Sequence, residues 1–172
     1  MRVVVTGTPG TGKTSATTGL EANSSVNLDV VHLNEAIREQ ELYEEVDEER
    51  DSVIADLDAI RDWVGNRDDC LIESHLAHHL QAERVVVLRC RPDVLRERLQ
   101  GRDESDESID ENAESEALDV ILAEAVDRHG LENVYEIDTT DRSSADVAME
   151  IDAVIRGERE PSAGTVDFTE YL

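Results

Sequence analysis

The octapeptide GTPGTGKT, residues 7–14, matches the pattern G-x-x-x-x-G-K-[ST] of a phosphate-binding loop. A β-branched run at residues 3–5 precedes it and predicts a short buried strand, and residues 15–20 can continue as a helix. Strand, glycine-rich loop and helix in this order form the context in which such a loop binds phosphates. The competing interpretation is a glycine- and threonine-rich turn with a chance Lys-Thr pair, and both flanking segments argue against it.

Each residue type in the octapeptide has a physical reason to be there. Glycines let the backbone approach phosphates closely, and successive N–H groups at a helix N-terminus then point at the anion. We expect Lys13 to reach the β- and γ-phosphates and the Thr14 hydroxyl to bind Mg²⁺. The nucleotide-binding residues predicted from this stretch are Gly7, Pro9, Gly10, Thr11, Gly12, Lys13, Thr14 and Ser15.

Lys13 is also the only lysine among the 16 lysine and arginine residues of the chain. Lysine is missing from every other position, yet it stands where a phosphate-binding loop requires a compact ammonium group. A guanine-recognition motif of the type Asn/Thr-Lys-x-Asp needs a second lysine. The sequence therefore excludes a GTPase of that type.

The composition is strongly acidic, with 42 acidic residues, a formal charge of −26 and a pI near 4.3. Such charge repels itself in a compact fold at low ionic strength, whereas about 1 M salt screens it within about 3 Å. We therefore predict a halophilic protein. An acidic disordered chain is the alternative, but apolar residues make up 39% and recur at regular periods. The charge argues against nonspecific binding to nucleic acid or to anionic membranes.

The length of 172 residues suits one domain with a sizeable core. The sequence shows neither a signal peptide nor an apolar run approaching 18 residues, so a cytoplasmic location is expected. Cys70 and Cys90 each adjoin an apolar run. They are interpreted as small core residues rather than a disulfide or a metal-binding pair.

Alternating apolar segments predict an α/β fold, with a five-stranded parallel sheet covered on both faces and ligands at the carboxyl ends of the strands. Predicted strands cover residues 3–5, 30–33, 70–72, 85–88 and 134–137. Helical stripes are predicted at Val53, Leu57, Ile60 and Val64, at Leu118, Ile121, Leu122, Ala125 and Val126, and at Val147, Ala148, Ile151, Val154 and Ile155. The acidic residues 103–107 are interpreted as a solvated loop, with a moving lid as the alternative.

Four segments together resemble an archaeal member of the adenylate kinase isoenzyme 6 family, whose animal members are called coilin-interacting nuclear ATPases. They are the phosphate-binding loop, REQELYEEVDEERDS (38–52), IESH (72–75) and LRERLQGR (95–102), and the resemblance covers roughly residues 2–156. It implies a P-loop nucleoside monophosphate kinase fold with strand order 2-3-1-4-5 and Mg²⁺-dependent phosphoryl transfer from ATP to AMP. It also implies ATPase activity and a role in maturing the small ribosomal subunit.

The resemblance also implies domain boundaries: a kinase domain over residues 1–156, with an acceptor-nucleotide insert at about 33–66 and a short lid at about 101–112. Residues 157–172 would form a peripheral tail. Arg38 follows the second predicted strand, where such kinases hold the acceptor phosphate, although an ordinary surface arginine is the alternative. Arg98 and Arg102 lie four residues apart, so they share one face of a persisting helix. In similar kinases the first packs on the donor adenine and the second, which we count as catalytic, reaches its phosphates.

Glu73 and His75 follow the third predicted strand. The family usually has Asp at the first of these positions, with His two residues later, so Glu73 is expected to bind Mg²⁺ directly or through a water. His75 would orient a water for hydrolysis, or it is a neutral, hydrogen-bonded neighbour of the site. His78 and His79 are interpreted as structural, because a zinc site built from this cluster has no fourth ligand at a sensible spacing.

The predicted lid departs from the family. Arg102-Asp103-Glu104 stands where Arg-Gly-Tyr is usual, and no further arginine follows until Arg128. Two functions therefore stay open: an enzyme acting on ATP and AMP or a related monophosphate, and an assembly factor. The second would use its ATP cycle to gate binding of a small-subunit ribosomal protein or the pre-ribosome. Arg38 favours the kinase, while the short lid and His75 favour the ATPase cycle.

Overall fold

The computed structural model describes residues 1–23 and 27–172. The strands are β1 (Arg2–Thr6), β2 (Asp29–His32), β3 (Tyr43–Asp47), β4 (Ser52–Ala55), β5 (Cys70–Glu73), β6 (Arg84–Arg89) and β7 (Val134–Asp138). The helices are α1 (Lys13–Asn23), α2 (Leu33–Glu39), α3 (Leu57–Val64), α4 (Pro92–Gln100), α5 (Asp106–Ala117), α6 (Val120–His129) and α7 (Ser144–Ile155). Short 3₁₀ turns cover Ala77–His79, Leu131–Asn133 and Thr169–Tyr171.

Five of the strands form one parallel sheet in the order β2-β5-β1-β6-β7. Counted along the chain without the separate β3–β4 pair, this order is 2-3-1-4-5, so the predicted P-loop kinase fold is confirmed. Parallel neighbours bring all five carboxyl ends to one edge of the sheet. The phosphate-binding loop follows β1, the central strand, and lies at that edge.

Both faces of the sheet are covered, which explains why its strands read as continuous apolar runs. Successive side chains of a strand point to opposite faces. Val4 accordingly packs with residues of α2, α3 and α6, such as Ile60 and Ala125, while Val3 and Val5 pack with residues of α1 and α7, such as Leu20. The core is therefore divided into two layers by the sheet.

The antiparallel pair β3–β4 corrects the predicted helical stripe that began at Val53. Val53 lies in β4 and pairs with Val46 of β3. Its four-residue spacing from Leu57 therefore matches a helical period only by chance. Helix α3 begins only at Leu57, because Asp56 is its N-cap and accepts hydrogen bonds from the backbone N–H groups of residues 58 and 59, at 3.0 Å each. A β-strand and a helix follow one another inside the predicted acceptor insert.

The acidic stretch at residues 103–107 is only partly a loop, which corrects the prediction. Helix α5 starts at Asp106, and the Ser105 hydroxyl accepts a hydrogen bond from the backbone N–H of Ser108. Carboxylates in a first helical turn interact favourably with the helix dipole, so the acidity helps the helix begin. Leu118 also differs from its prediction, because it lies between α5 and α6 and is 51% exposed.

The segment from Gly157 lies outside the helical layers but makes specific contacts with β7. Ser162 N–H donates to the Val134 carbonyl at 3.1 Å, and Thr165 N–H donates to Glu136 Oε2 at 2.8 Å. Phe168 is buried. Among the described residues, no helix has the length and apolar character needed to cross a membrane.

Candidate active site

The phosphate-binding loop joins the carboxyl end of β1 to the first turn of α1. Gly7 has a φ of +143°, and a Cβ at this position would lie 2.4 Å from the Leu88 carbonyl oxygen of β6. Gly12 has a φ of +92°, which side-chain-bearing residues rarely adopt. The backbone path of the loop therefore requires glycine at both ends for different reasons: close approach to β6 at Gly7 and conformation at Gly12.

Lys13 opens α1 and is only 7% exposed. Its ammonium group donates hydrogen bonds to the carbonyl oxygens of Gly7 at 2.7 Å and Thr8 at 3.0 Å. Burial lowers the pKa of Lys13 to about 8, and the negative charge of Glu73 opposes that shift. The group thus remains mostly protonated at neutral pH. Lysine has three donors, so the third, which has no partner among the described residues, can contact a phosphate.

Thr14 and Glu73, the two residues predicted to bind Mg²⁺, are hydrogen-bonded to each other. The Thr14 hydroxyl donates to Oε1 of the buried Glu73 at 3.0 Å. The same oxygen lies 2.8 Å from His32 Nδ1. A hydroxyl beside a carboxylate is the hard oxygen set that Mg²⁺ prefers. The side chains of Thr14 and Glu73 are therefore suitable ligands for Mg²⁺. Sequence reasoning missed His32, whose imidazole holds the Glu73 carboxylate in place from the end of β2.

His75 follows β5 by two residues and is partly buried. Burial lowers its pKa to about 4, with a further contribution from the positive charge of Lys13. The imidazole is therefore neutral at physiological pH. A neutral imidazole can accept a proton or a hydrogen bond from a water, whereas an imidazolium cannot.

Arg98 and Arg102 line a cavity of about 290 Å³ beside the phosphate-binding loop. The other residues around it are Gly10, Thr11, Gly12, Ser15, Thr139, Arg142, Ser144 and Val147. Arg98 Nη2 donates to the carbonyl oxygens of Thr139 at 2.8 Å and Thr140 at 3.2 Å, while Arg102 is exposed. Neither arginine forms an ion pair within the part of the chain that the structure describes.

Arg38 lies in the last turn of α2 and is exposed, outside the cavity that Arg98 lines. Its guanidinium donates to the Asp51 carbonyl oxygen at 3.2 Å, which joins α2 to the turn between β3 and β4. The first turn of α2 contacts the end of β5, since the Ser74 hydroxyl donates to Asn34 Oδ1 at 2.7 Å. Arg38 therefore lies about one helical turn beyond the edge that carries Glu73.

His78 is buried, and both of its ring nitrogens have a polar neighbour. Its Nδ1 lies 2.9 Å from the Thr6 hydroxyl and its Nε2 lies 2.8 Å from Glu124 Oε2. His79 is partly buried beside it, with the two ring centroids 4.2 Å apart. Both side chains lie apart from the Thr14–Glu73 pair.

The chain is similar in sequence to a family of known proteins. A family profile described as "AAA domain" matches residues 3–119. A protein of Natronomonas pharaonis named "Putative adenylate kinase" is 63% identical over 172 residues, with both chains covered completely. Proteins with the same name are 57% identical over 173 residues in Halobacterium salinarum and 34% identical over 174 residues in Methanocaldococcus jannaschii. The chain belongs to this family of P-loop kinases.

Solved structures of the same fold are more distant from this kinase. The shikimate kinase of Acinetobacter baumannii, solved in complex with shikimate, superimposes with a TM-score of 0.65 at 15% identity, covering 92% of this chain and 94% of the other. The shikimate kinase of Bacteroides thetaiotaomicron gives a TM-score of 0.56 at 18% identity, covering 91% and 98%. At such identities the similarity establishes the fold alone.

The candidate active site also includes contacts that sequence reasoning missed. The Thr8 hydroxyl of the phosphate-binding loop donates to Glu116 Oε2 of α5 at 2.6 Å. Glu116 Oε1 in turn accepts from Arg89 Nε at 2.8 Å. No sequence signal distinguishes Glu116 from the other acids of α5. Thr139 could have been found, because it directly follows β7 at the edge where ligands bind.

Proposed function

We propose that this chain transfers the γ-phosphoryl group of ATP to AMP, forming two ADP, and that it also hydrolyses ATP. The observation that carries the proposal is the group at the end of β1 and β5: a buried Lys13 inside the phosphate-binding loop, beside the hydrogen-bonded Thr14–Glu73 pair. Membership of a P-loop kinase family supports it, and the names of the relatives favour an adenylate kinase.

The donor nucleotide fits the loop and the adjoining cavity. The loop N–H groups and Lys13 would hold the phosphates, while the cavity of about 290 Å³ would take the adenosine, with Arg98 beside it. Thr14 and Glu73 would hold Mg²⁺, which supplies charge neutralisation on the phosphates. Arg102, exposed and free of ion pairs among the described residues, would reach the transferred phosphoryl group and stabilise its charge.

The acceptor requires a cation of its own, because two anionic phosphates must be brought together. Arg38 is suited to this role, since its planar guanidinium can contact two phosphate oxygens at once and α2 begins beside Glu73. Hydrolysis has no such requirement. His75 would instead orient the attacking water, because it is neutral at physiological pH and lies near Lys13.

A second function, the ATP-gated assembly factor, is favoured by the residues that follow Arg102. Helix α5 carries acidic residues in its first turn and no basic residue in its last, so the predicted lid offers few cations to a transferred phosphoryl group. The resemblance to adenylate kinase isoenzyme 6 adds small-subunit maturation as the process served. In that case ATP hydrolysis would gate a ribosomal protein partner, and transfer to AMP would be slow.

Substitution of Arg38 tests the proposal. We expect Arg38→Ala to lower AMP-dependent ADP formation by about 10²-fold, a plausible loss when a reactant is misplaced, and to leave basal ATPase activity within a few-fold. His75→Ala should show the opposite balance. Both rates would be measured in molar KCl, with Arg156→Ala as control, since this arginine pairs with Asp152 at the far end of α7.

Unchanged transfer to AMP in Arg38→Ala would show that α2 does not bind the acceptor. The assembly-factor function would then become the better description of the chain. A loss of both activities together in a folded variant would instead assign Arg38 to the donor side.

A further inference from the structure

Two histidines and a glutamate outside the kinase site bring their ligand atoms together. His78 and His79 occupy the 3₁₀ turn Ala77–His79, and Glu124 lies on α6. One ligand atom from each lies within 4.8 Å of the others. Glu124 Oε2 is 2.8 Å from His78 Nε2 and 3.8 Å from His79 Nε2. These separations are near those of ligands that share one metal ion.

The two ring nitrogens of His79 differ in their surroundings. Nε2 lies 3.8 Å from Glu124 Oε2, so an ion shared with Glu124 would bind at this nitrogen. Nδ1 is buried and has no hydrogen-bond partner among the described residues. Buried polar atoms are nearly always paired, so Nδ1, which carries the proton when Nε2 binds a metal, would donate it to a water.

The surroundings hold the cluster in position. His129 Nε2 lies 2.8 Å from the His78 carbonyl oxygen and so ties the 3₁₀ turn to α6. His78 Nδ1 lies 2.9 Å from the Thr6 hydroxyl. An imidazole that binds a metal through one nitrogen normally uses the other in such an outer contact, which fixes the ring.

A metal ion can reach the cluster. A cavity of about 700 Å³ borders His78, His79 and His129. Three arginines also line it and would repel a cation locally, namely Arg2, Arg67 and Arg128. Two carboxylates of the same lining, those of Asp68 and Glu83, oppose that repulsion, and the formal charge of −26 raises the cation concentration near the whole surface.

We propose that His78, His79 and Glu124 form a binding site for Zn²⁺ or a similar borderline transition-metal ion. Three protein ligands with a water as the fourth form an open tetrahedral site, so the fourth protein ligand that the sequence lacks is not required. Imidazole selects such ions over Mg²⁺, which prefers oxygen ligands. The site is thus distinct from the Mg²⁺ site at Thr14 and Glu73.

The contacts of His78 leave one of its nitrogens for a metal. A neutral imidazole carries one proton, so one ring nitrogen can donate a hydrogen bond while the other binds a metal. A neutral His78 that binds metal through Nε2 carries its proton on Nδ1 and donates it to the Thr6 hydroxyl. Thr6 immediately precedes Gly7, so metal binding would stiffen the base of the phosphate-binding loop.

The test is metal binding by the full chain in molar KCl with excess Mg²⁺, which occupies the oxygen sites. Equilibrium dialysis should find one Zn²⁺ per chain, and Co²⁺ should give the strong visible absorption of a tetrahedral site. Glu124→Gln and His79→Asn should each weaken binding at least about 10- to 100-fold, the loss caused even by outer-shell changes at metal sites. Zn²⁺ should raise the thermal midpoint of the wild type but of neither variant.

Glu132→Gln is the matched control, because it removes one exposed negative charge near the same helix without touching the cluster. Binding in this control should equal that of the wild type. Equal Zn²⁺ binding by the control and by both cluster variants would overturn the proposal and assign the ion to the acidic surface. An octahedral Co²⁺ spectrum, or no bound Zn²⁺ in the wild type, would overturn it as well.

Discussion

Lys13 illustrates a conflict between stability and function within one residue. Its folded pKa is about 8, against an ordinary value of 10.5, because burial disfavours the charge. Between these pH values the unfolded chain binds more protons, so the stability of the fold rises as the pH rises through that window. At neutral pH the protonated Lys13 therefore opposes folding. The positive charge of Lys13 thus destabilises the fold, although phosphate binding requires it.

His75 gives the complementary case on the acid side. Its folded pKa is about 4, against an ordinary value of 6.5, so it contributes stability that is fully present above pH 6.5. As the pH falls from 6.5 towards 4, the unfolded chain takes up a proton that the folded chain refuses, and this contribution is lost. We predict that His75→Gln flattens the fall in thermal midpoint across that window. Melts of both proteins at fixed KCl measure the difference.

The midpoints of His75→Gln and the wild type must be compared at each pH, because protonation of the many carboxylates also affects stability in acid. Their protonation is common to both proteins and cancels. An identical pH dependence of the two midpoints would contradict the burial of a neutral imidazole at this position.

At the scale of elements, a buried ion cluster joins β6, β7, α5 and the start of α6. The buried Arg89 of β6 contacts three carboxylates, those of Glu116, Asp119 and Glu136. Phe168 of the C-terminal segment covers it, with the guanidinium carbon 5.3 Å from the ring centroid. Since Glu116 also accepts from Thr8, the cluster connects α5 to the phosphate-binding loop.

Arg89 is the cation that makes this cluster possible, so we predict that Arg89→Met destabilises the fold by about 3–5 kcal/mol, as expected when one partner of a buried pair is removed. The remaining carboxylates would repel one another without compensation. Arg91→Met is the matched control, since its side chain pairs with Asp93 at the surface and should change stability little. Urea unfolding at fixed KCl gives both values. A small loss of unfolding free energy in Arg89→Met would show that the cluster contributes little to the stability of the fold.

Local patterns predicted most of these elements, and long-range contacts account for what they missed. The octapeptide and its flanks lie within 20 residues, so one stretch of sequence contains strand, loop and helix. By contrast, Thr8 and Glu116 are 108 positions apart, and His78 and Glu124 are 46 apart. The β3–β4 pair was missed for a different reason, because the spacing of Val53 from Leu57 also fits a helix. The Asp56 N-cap was the signal that would have separated them.

At the scale of the whole molecule, net charge is the dominant property. Most acidic side chains lie at the surface. Raising the salt concentration there from about 0.1 M to about 1 M shortens the screening length from about 10 Å to about 3 Å. Several arginines form surface ion pairs, such as Arg96 with Asp110 and Arg156 with Asp152. With a formal charge of −26, such pairs leave most of the repulsion uncompensated.

We therefore predict that the thermal midpoint rises with KCl well into the molar range. Melts in KCl would be compared with melts in an uncharged osmolyte, which stabilises compact states without screening charge. A midpoint that is flat in KCl, or that rises equally in both solutes, would contradict a fold limited by charge repulsion.

Phosphoryl transfer itself is the most direct measurement. ATP labelled at its γ-phosphate would be mixed with the wild-type chain, Mg²⁺ and molar KCl, with and without AMP, and the label followed by chromatography. We expect the label to appear in ADP only when AMP is present, and in free phosphate at a slower rate without it. Lys13→Ala should abolish both products, because the ammonium group serves transfer and hydrolysis alike. Label that enters phosphate but never ADP, with any nucleoside monophosphate, would contradict the assignment of this chain as a nucleoside monophosphate kinase.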